Sequence, residues 1–169
     1  MYEKLSEKED KRILEATKLE FMDNISVKWL PDDIDNEGEG SHNGQNYLAY
    51  TFYLENKGNE IINYWYEIPI DDVIKNVDDA IRVAIYLNGE RKIYAKPNAT
   101  TGEAEEGTEK FYSSSEVLVE SRKNFKPGDI DKFTIVIFLE GDDPECKDNL
   151  IGGEMKMHME ISEEHIKQE

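Results

Sequence analysis

From Ile25 to the end of the chain, short segments recur in which every second residue is apolar, and none is long enough or correctly phased to be a helix. A period of two puts alternate side chains on opposite faces of an extended strand, so this patterning restricts the fold to packed sheets. The last segment is the clearest. Met155, Met157, Met159 and Ile161 share one face, and Glu154, Lys156, His158 and Glu160 share the other. Such a strand has one dry and one wet side. About eight segments of this kind predict an all-β fold, an antiparallel two-sheet sandwich of jelly-roll or immunoglobulin-like type.

Two short helices are expected beside the strands. Ser6 and Glu9 fit a capping box, and the stretch to about Lys18 holds good helix formers without Gly or Pro. Residues 1–18 therefore read as a charged N-terminal helix or arm, 19–162 as one sandwich domain and 163–169 as a charged tail. The period changes to two at Leu19, and Leu19, Phe21, Ile25, Val27 and Trp29 are expected to share a face of the first strand, stopped by Pro31. Leu48 to Leu54 and Ile62 to Ile70 read as a hairpin joined at Asn56-Lys57-Gly58-Asn59. Val73, Val77 and Ala80 sit at helical spacing, which predicts a short crossing helix over 71–80, with Asp71-Asp72 and Asp78-Asp79 as cap residues.

Ile81 to Leu87 reverses at Asn88-Gly89 into Ile93 and Ala95, the strongest hairpin signal in the chain. Phe111 to Val119 is expected to be a strand with Val117 and Val119 inward, and Pro127-Gly128 a turn. Phe133, Ile135, Ile137 and Leu139 alternate with Thr134, Val136 and Phe138, so both faces are largely apolar and the strand belongs in the middle of a sheet. Gly152-Gly153 is a place for a bulge before the methionine strand.

Charge narrows the function. The 169 residues carry 20 Lys plus Arg against 38 Asp plus Glu, a formal net charge of −18. That excess repels phosphate backbones and anionic headgroups, so no nucleic acid is expected as a partner. No apolar run approaches spanning length, and no membrane insertion is expected. The charged N-terminus lacks the apolar core of a signal peptide, which leaves either a cytoplasmic protein or an exported one whose leader was trimmed. The single Cys146 allows no intrachain disulfide, and its acidic neighbours should hold it as a thiol.

No catalytic triad, phosphate loop or zinc motif is present, and His42, His158 and His165 are far apart. A non-enzymatic role is the expectation, with a carboxylate hydrolase as the one catalytic alternative. The chemistry on offer is oxygen. Asp33, Asp35, Glu37 and Gly38 partly match a calcium loop, though Gly44 stands where a bidentate Glu is needed. Asp142, Asp143 and Glu145, with Asp148, crowd a second loop. Both sets suit Ca2+, but solvated surface loops are the preferred reading of each, since clustered surface carboxylates ordinarily serve solubility. Tyr47, Tyr50, Tyr53, Tyr64, Trp65 and Tyr66 offer either a sugar-stacking platform or ordinary core packing. Asn98-Ala99-Thr100 has the pattern of a glycosylation acceptor, which carries meaning only in a eukaryotic secretory pathway and is read as a chance match.

Three stretches carry a resemblance: Tyr50-Thr-Phe-Tyr-Leu-Glu-Asn-Lys-Gly58, Asn124-Phe-Lys-Pro-Gly-Asp129 and Phe138-Leu-Glu-Gly-Asp-Asp-Pro-Glu-Cys146. Together they resemble exported proteins of Gram-positive bacteria and, more distantly, the TasA/camelysin group of biofilm-matrix proteins. The resemblance covers roughly Leu48 to Ile161. It implies a jelly-roll sandwich outside the cell, self-assembly or a cell-surface or matrix partner, and fibre growth by donation of an N-terminal strand. The Leu19 to Trp29 segment is the donor candidate on this reading. It implies no catalytic residue, and the metalloprotease activity also ascribed to the group has no zinc motif here. A calcium-dependent ligand-binding module, carbohydrate included, is the alternative.

Overall fold

The computed structural model describes residues 2–4, 11–14 and 22–165, with the backbone alone for 2–4, 11–14 and 165. Twelve strands are described: β1 Tyr2–Lys4, β2 Lys11–Leu14, β3 Gly40–Ser41, β4 Tyr47–Glu55, β5 Ile62–Ile74, β6 Ile81–Leu87, β7 Glu90–Ala95, β8 Glu109–Lys110, β9 Glu116–Phe125, β10 Ile130–Leu139, β11 Glu154–Met157 and β12 Met159–His165. They form two sheets. The first runs β1-β4-β10-β6-β7-β8 with β3 also on β4, and the second runs β11-β5-β12-β2 with β9 also on β5. The chain is thus a two-sheet β-sandwich. Among the described residues no helix is long and apolar enough to cross a membrane.

The alternation explains the core. Phe52 and Leu54 of β4, Val83 and Ile85 of β6 and Phe133 of β10 face Tyr64, Tyr66 and Ile68 of β5, Val117, Leu118 and Phe125 of β9, and Met159 and Ile161 of β12. Phe52 and Phe133 stack with ring centres 5.0 Å apart, and Tyr66 meets Phe133 edge-on at 5.2 Å. Each such side chain contributes about 1.5–3 kcal/mol by leaving water. The expected inward pair on β9 is corrected by one position: Val117 and Leu118 are the buried residues and Val119 is only half-buried. Bulges in the β5–β9 pairing, where two residues of β5 face three of β9, shift the pleat.

β10 lies between β4 and β6, as its two apolar faces require. Its second face, Val136 and Phe138, joins Ala49, Ala84 and Tyr86 in a smaller cluster closed from outside by Ile25, Leu30 and Ile34. That lid corrects the expected first strand. Ile25 makes one isolated bridge to Glu140, and Val27–Trp29 is a 3-10 turn with Trp29 exposed. The Ser26 hydroxyl accepts from the Lys28 amide, and Glu140 accepts from the Val27 amide at 3.0 Å, so these donors need no strand ladder. Leu19 and Phe21 lie outside the described residues.

The expected hairpin of β4 and β5 is also corrected, because the two strands belong to different sheets. Asn56 is the reason. Its side-chain amide is buried and donates to Phe125 O at 2.8 Å and Glu60 O at 2.9 Å, and its Oδ1 accepts from Gly58 N. Its backbone exchanges two hydrogen bonds with the turn at Gly128 and Asp129. The segment 56–61 therefore steps across the roughly 10 Å between packed sheets. The true hairpin is β6–β7, with Leu87 paired to Glu90 and both Asn88 and Gly89 at positive φ.

Neither expected helix forms in the described residues. Lys11–Leu14 is a strand, and the rest of the N-terminal helix lies outside the described residues. Asp71–Ile74 extends β5 because β11 pairs with it, and only Val77–Asp79 turns, in 3-10 form. Residues 163–165, expected in a charged tail, belong to β12, and the rest of that tail lies outside the described residues.

Candidate functional site

At one end of the sandwich the loop after β10 meets the loop between β7 and β8. Carboxylate oxygens of Glu105, Asp143 and Glu145 lie within 4.8 Å of one another. The Pro144 turn places the last two, with Cys146 N donating to Asp143 O and Glu145 N donating to Asp143 Oδ1 at 2.8 Å. Asp143 is buried, and its Oδ2 accepts from Arg82 Nη2 at 2.6 Å. Glu145 Oε1 accepts from the Ala99 amide at 3.1 Å, tying the two loops together.

Polar atoms are left over here. Glu105 Oε1, Glu145 Oε2, Arg82 Nη1 and, on the neighbouring turn, Asp78 Oδ1 are buried without a hydrogen-bond partner. A protonated Glu145 can donate to Asp143, and this, with burial, pushes the Glu145 carboxyl above its usual range. Arg82 supplies the positive group beside Asp143, and the Glu145 carboxyl holds its proton more tightly than a free one. Lys96 reaches Asp78 Oδ2 at 3.1 Å and Asp79 Oδ1 at 2.8 Å, which partners Asp79 and one of the two Asp78 oxygens.

The structure brings together Asp143 and Glu145 of the sequence candidates, and no others. Asp142 is exposed and accepts from the Ser26 hydroxyl at 3.2 Å. Asp33 precedes the 3-10 turn Ile34–Asn36, Asp35 gives its carbonyl to Lys132 Nζ, and Glu37 is exposed. Those three are not in the acidic cluster found among the described residues. Glu105 was missed because it sits among small and acidic residues that read as plain loop, and no short-range pattern links it to Asp143. Burial, then Asp143 and Glu140, raise the Cys146 thiol pKa, so the expected thiol character follows.

The aromatic residues disperse. Tyr64 and Tyr66 are core, Tyr50 packs against the core, Tyr47 packs under the outer lid and Trp65 is partly exposed beneath the Lys123 ammonium. Packing accounts for Tyr47, Tyr50, Tyr64 and Tyr66, while Trp65 Nε1 donates to Glu164 Oε2 at 3.0 Å and Tyr53 lies under the Lys132 ammonium.

The second feature is an edge. β1 lies parallel to Tyr53–Glu55 on the outer side of β4, and β2 lies antiparallel to Met159–Ser162 on the outer side of β12. One N-terminal stretch therefore supplies an edge strand to each sheet, through pairings of three and four residues. The opposite edge of the first sheet is blunted by Glu90, Arg91 and Lys92 on β7.

No protein-family model matches the chain, and no curated protein matches it significantly. Among solved structures, the insecticidal crystal protein Cry2Aa is similar over 73% of this chain and 18% of that one, at 12% identity and a TM-score of 0.32. The chain spans less than a fifth of that protein's length.

Proposed function

We propose that the chain is a non-enzymatic structural or surface-interaction module, a jelly-roll sandwich that assembles by exchanging its N-terminal strands and acts outside the cell. The observation that carries this reading is the placement of β1 and β2 on the outer edges of β4 and β12. Short pairings on open edges are the seats that strand addition uses. The donors are accordingly β1 and β2 in place of the Leu19 to Trp29 segment, whose end is the lid over the outer cluster. The resemblance to matrix-fibre proteins supplies the second support. The experiment is light scattering with size exclusion over a concentration series, with a variant lacking residues 1–21 and a peptide of those residues. Concentration-dependent oligomers of the full chain, and capture of the peptide by the truncated chain, are expected. A full chain that stays monomeric and a truncated chain that ignores the peptide overturn the reading.

A second reading, a calcium-dependent ligand-binding module, is favoured by the three converging carboxylates and their unpartnered buried oxygens. Dialysis against a chelator tests it. Loss of thermal stability restored by calcium and not by sodium is the expected result, and unchanged unfolding excludes it.

A further inference from the structure

The strand that ends the chain is broken once, at His158, between β11 and β12. Opposite this break β5 carries an extra residue: Lys156 pairs with Asp72, but Met157 pairs with Ile70, so Asp71 is bulged out. The His158 ring sits in the gap. Its Nδ1 lies 2.8 Å from Asp71 Oδ2 and its Nε2 lies 3.0 Å from Glu160 Oε1. Ionised carboxylates only accept, so this geometry needs a proton on both ring nitrogens. The backbone adds one more tie, His158 N donating to Pro69 O at 3.2 Å.

We propose that His158 is a proton-operated latch: doubly protonated, it fastens the Asp71 bulge of β5 to Glu160 of β12 and so fixes the edge on which β2 docks, and loss of one proton loosens that edge. The joint and the dock are contiguous. Met159 pairs with Leu14 and Glu160 with Ile13 on β2, while Glu160 pairs on its other side with Glu67 of β5. The charged groups around the ring come from each packed element. β5 brings Asp71 and Glu67, with Asp72 opposite Lys156 of β11; β12 brings Glu160. On β2, Arg12 stands opposite Ile161 and Lys11 opposite Ser162, farther along; on β9, Glu116 stands opposite Pro69. The immediate surroundings are acidic, and the hydrogen bonds that the ring donates to Glu160 and Asp71 raise the His158 pKa above its ordinary value.

The sign follows from that direction. A histidine raised on folding contributes stability that is fully present below its unfolded pKa and is lost as pH rises through the folded pKa. The latch is therefore closed in mild acid and opens toward alkaline pH. The latch itself concerns the β11–β12 joint; its consequence for assembly rests on the strand exchange proposed above.

The test is a histidine NMR titration of the full chain, with amide exchange of β2 and β12 compared between wild type and His158→Gln at each pH. Gln cannot titrate, and comparison at matched pH cancels intrinsic exchange. Wild-type His158 should titrate above the ordinary value, and wild-type protection at β2 should exceed that of the variant at low pH by about tenfold per unit of pKa elevation. That excess should vanish above the folded pKa, while β10 amides remain alike. Asp71→Asn, which keeps the imidazole, should move the His158 titration down. An ordinary His158 titration, or a β2 difference that ignores pH, overturns the latch. Light scattering on the same samples separates the two readings: β2 released at high pH with an unchanged mass keeps the latch and removes strand exchange.

Discussion

The Tyr64 hydroxyl donates a 2.6 Å hydrogen bond to Asp131, joining β5 of one sheet to β10 of the other. Asp131 is almost wholly buried and also accepts from Arg122 Nε at 2.9 Å and Asn88 Nδ2 at 2.9 Å. One carboxylate therefore ties together β5, β9, β10 and the β6–β7 turn. Burial and the Asp131 carboxylate push the Tyr64 phenol far above its ordinary value, so it remains a donor at every physiological pH.

Removing the two partners should have unequal effects. Tyr64→Phe deletes one donor and leaves Asp131 with Arg122 and Asn88, so a loss of about 1–2 kcal/mol is expected. Asp131→Ala leaves a buried phenol and a guanidinium without their acceptor and should cost more. Urea unfolding of both variants decides it, and equal losses would mean that the hydrogen bond carries all that Asp131 contributes.

Arg82 and Asp143 form the second buried pair, with side chains 6% and 0% exposed. Breaking such a pair strands a charge without water, so Arg82→Ala or Asp143→Ala should each cost about 3–5 kcal/mol. The double replacement Arg82→Met with Asp143→Leu should recover much of that, because an apolar pair leaves no stranded charge. Denaturant midpoints of the three variants measure it. A double variant no better than the singles would assign the loss to the loop geometry around Glu145 and Ala99.

These two networks mark the limit of what the sequence makes legible. Alternation places Phe133, Val136 and Phe138 correctly, because burial depends on local phase alone. It cannot tell that β4 and β5 separate into different sheets. Asn56 looks like a turn residue in isolation and becomes a crossover anchor only once Phe125, far along the chain, presents its carbonyl. Asp131 reads as one more surface charge at the start of a strand. Its burial follows from Tyr64, Asn88 and Arg122 converging from other strands. In the acidic loop, Asp143 and Glu145 stand out by density, whereas Arg82 sits unannounced within an apolar strand and Glu105 within a polar loop.

The β6–β7 turn carries a prediction that turn propensity alone would not make. Asp-Gly suits a two-residue hairpin as well as Asn-Gly does. Here Asn88 Oδ1 accepts from Lys132 N at 2.8 Å while its Nδ2 donates to Asp131. Asn88→Asp keeps the acceptor and sets a second carboxylate against Asp131. A destabilisation of about 1–3 kcal/mol at neutral pH is expected, read from thermal unfolding with the wild type alongside. An unchanged midpoint would show that Asn88 serves the turn alone.

Glu145 supplies a test with the opposite sign, in which removing a charge stabilises the protein. Its carboxyl is raised by the hydrogen bond with Asp143, then by burial, so its protonated form is the one that folding favours. A group raised on folding contributes stability at low pH and loses it as pH climbs through the folded pKa. At neutral pH the ionised Glu145 therefore faces Asp143 and Glu105 with no proton between them. Glu145→Gln removes that repulsion and retains an oxygen for the Ala99 amide, so its thermal midpoint should exceed that of the wild type at pH 7. The advantage should shrink on acidification toward the carboxylate range. Calcium, if it binds the cluster, should raise the wild-type midpoint and leave the Gln variant nearly unmoved, because both remedies relieve the same crowding. A Gln variant no more stable than the wild type at pH 7 would mean that Arg82 alone already balances the three carboxylates.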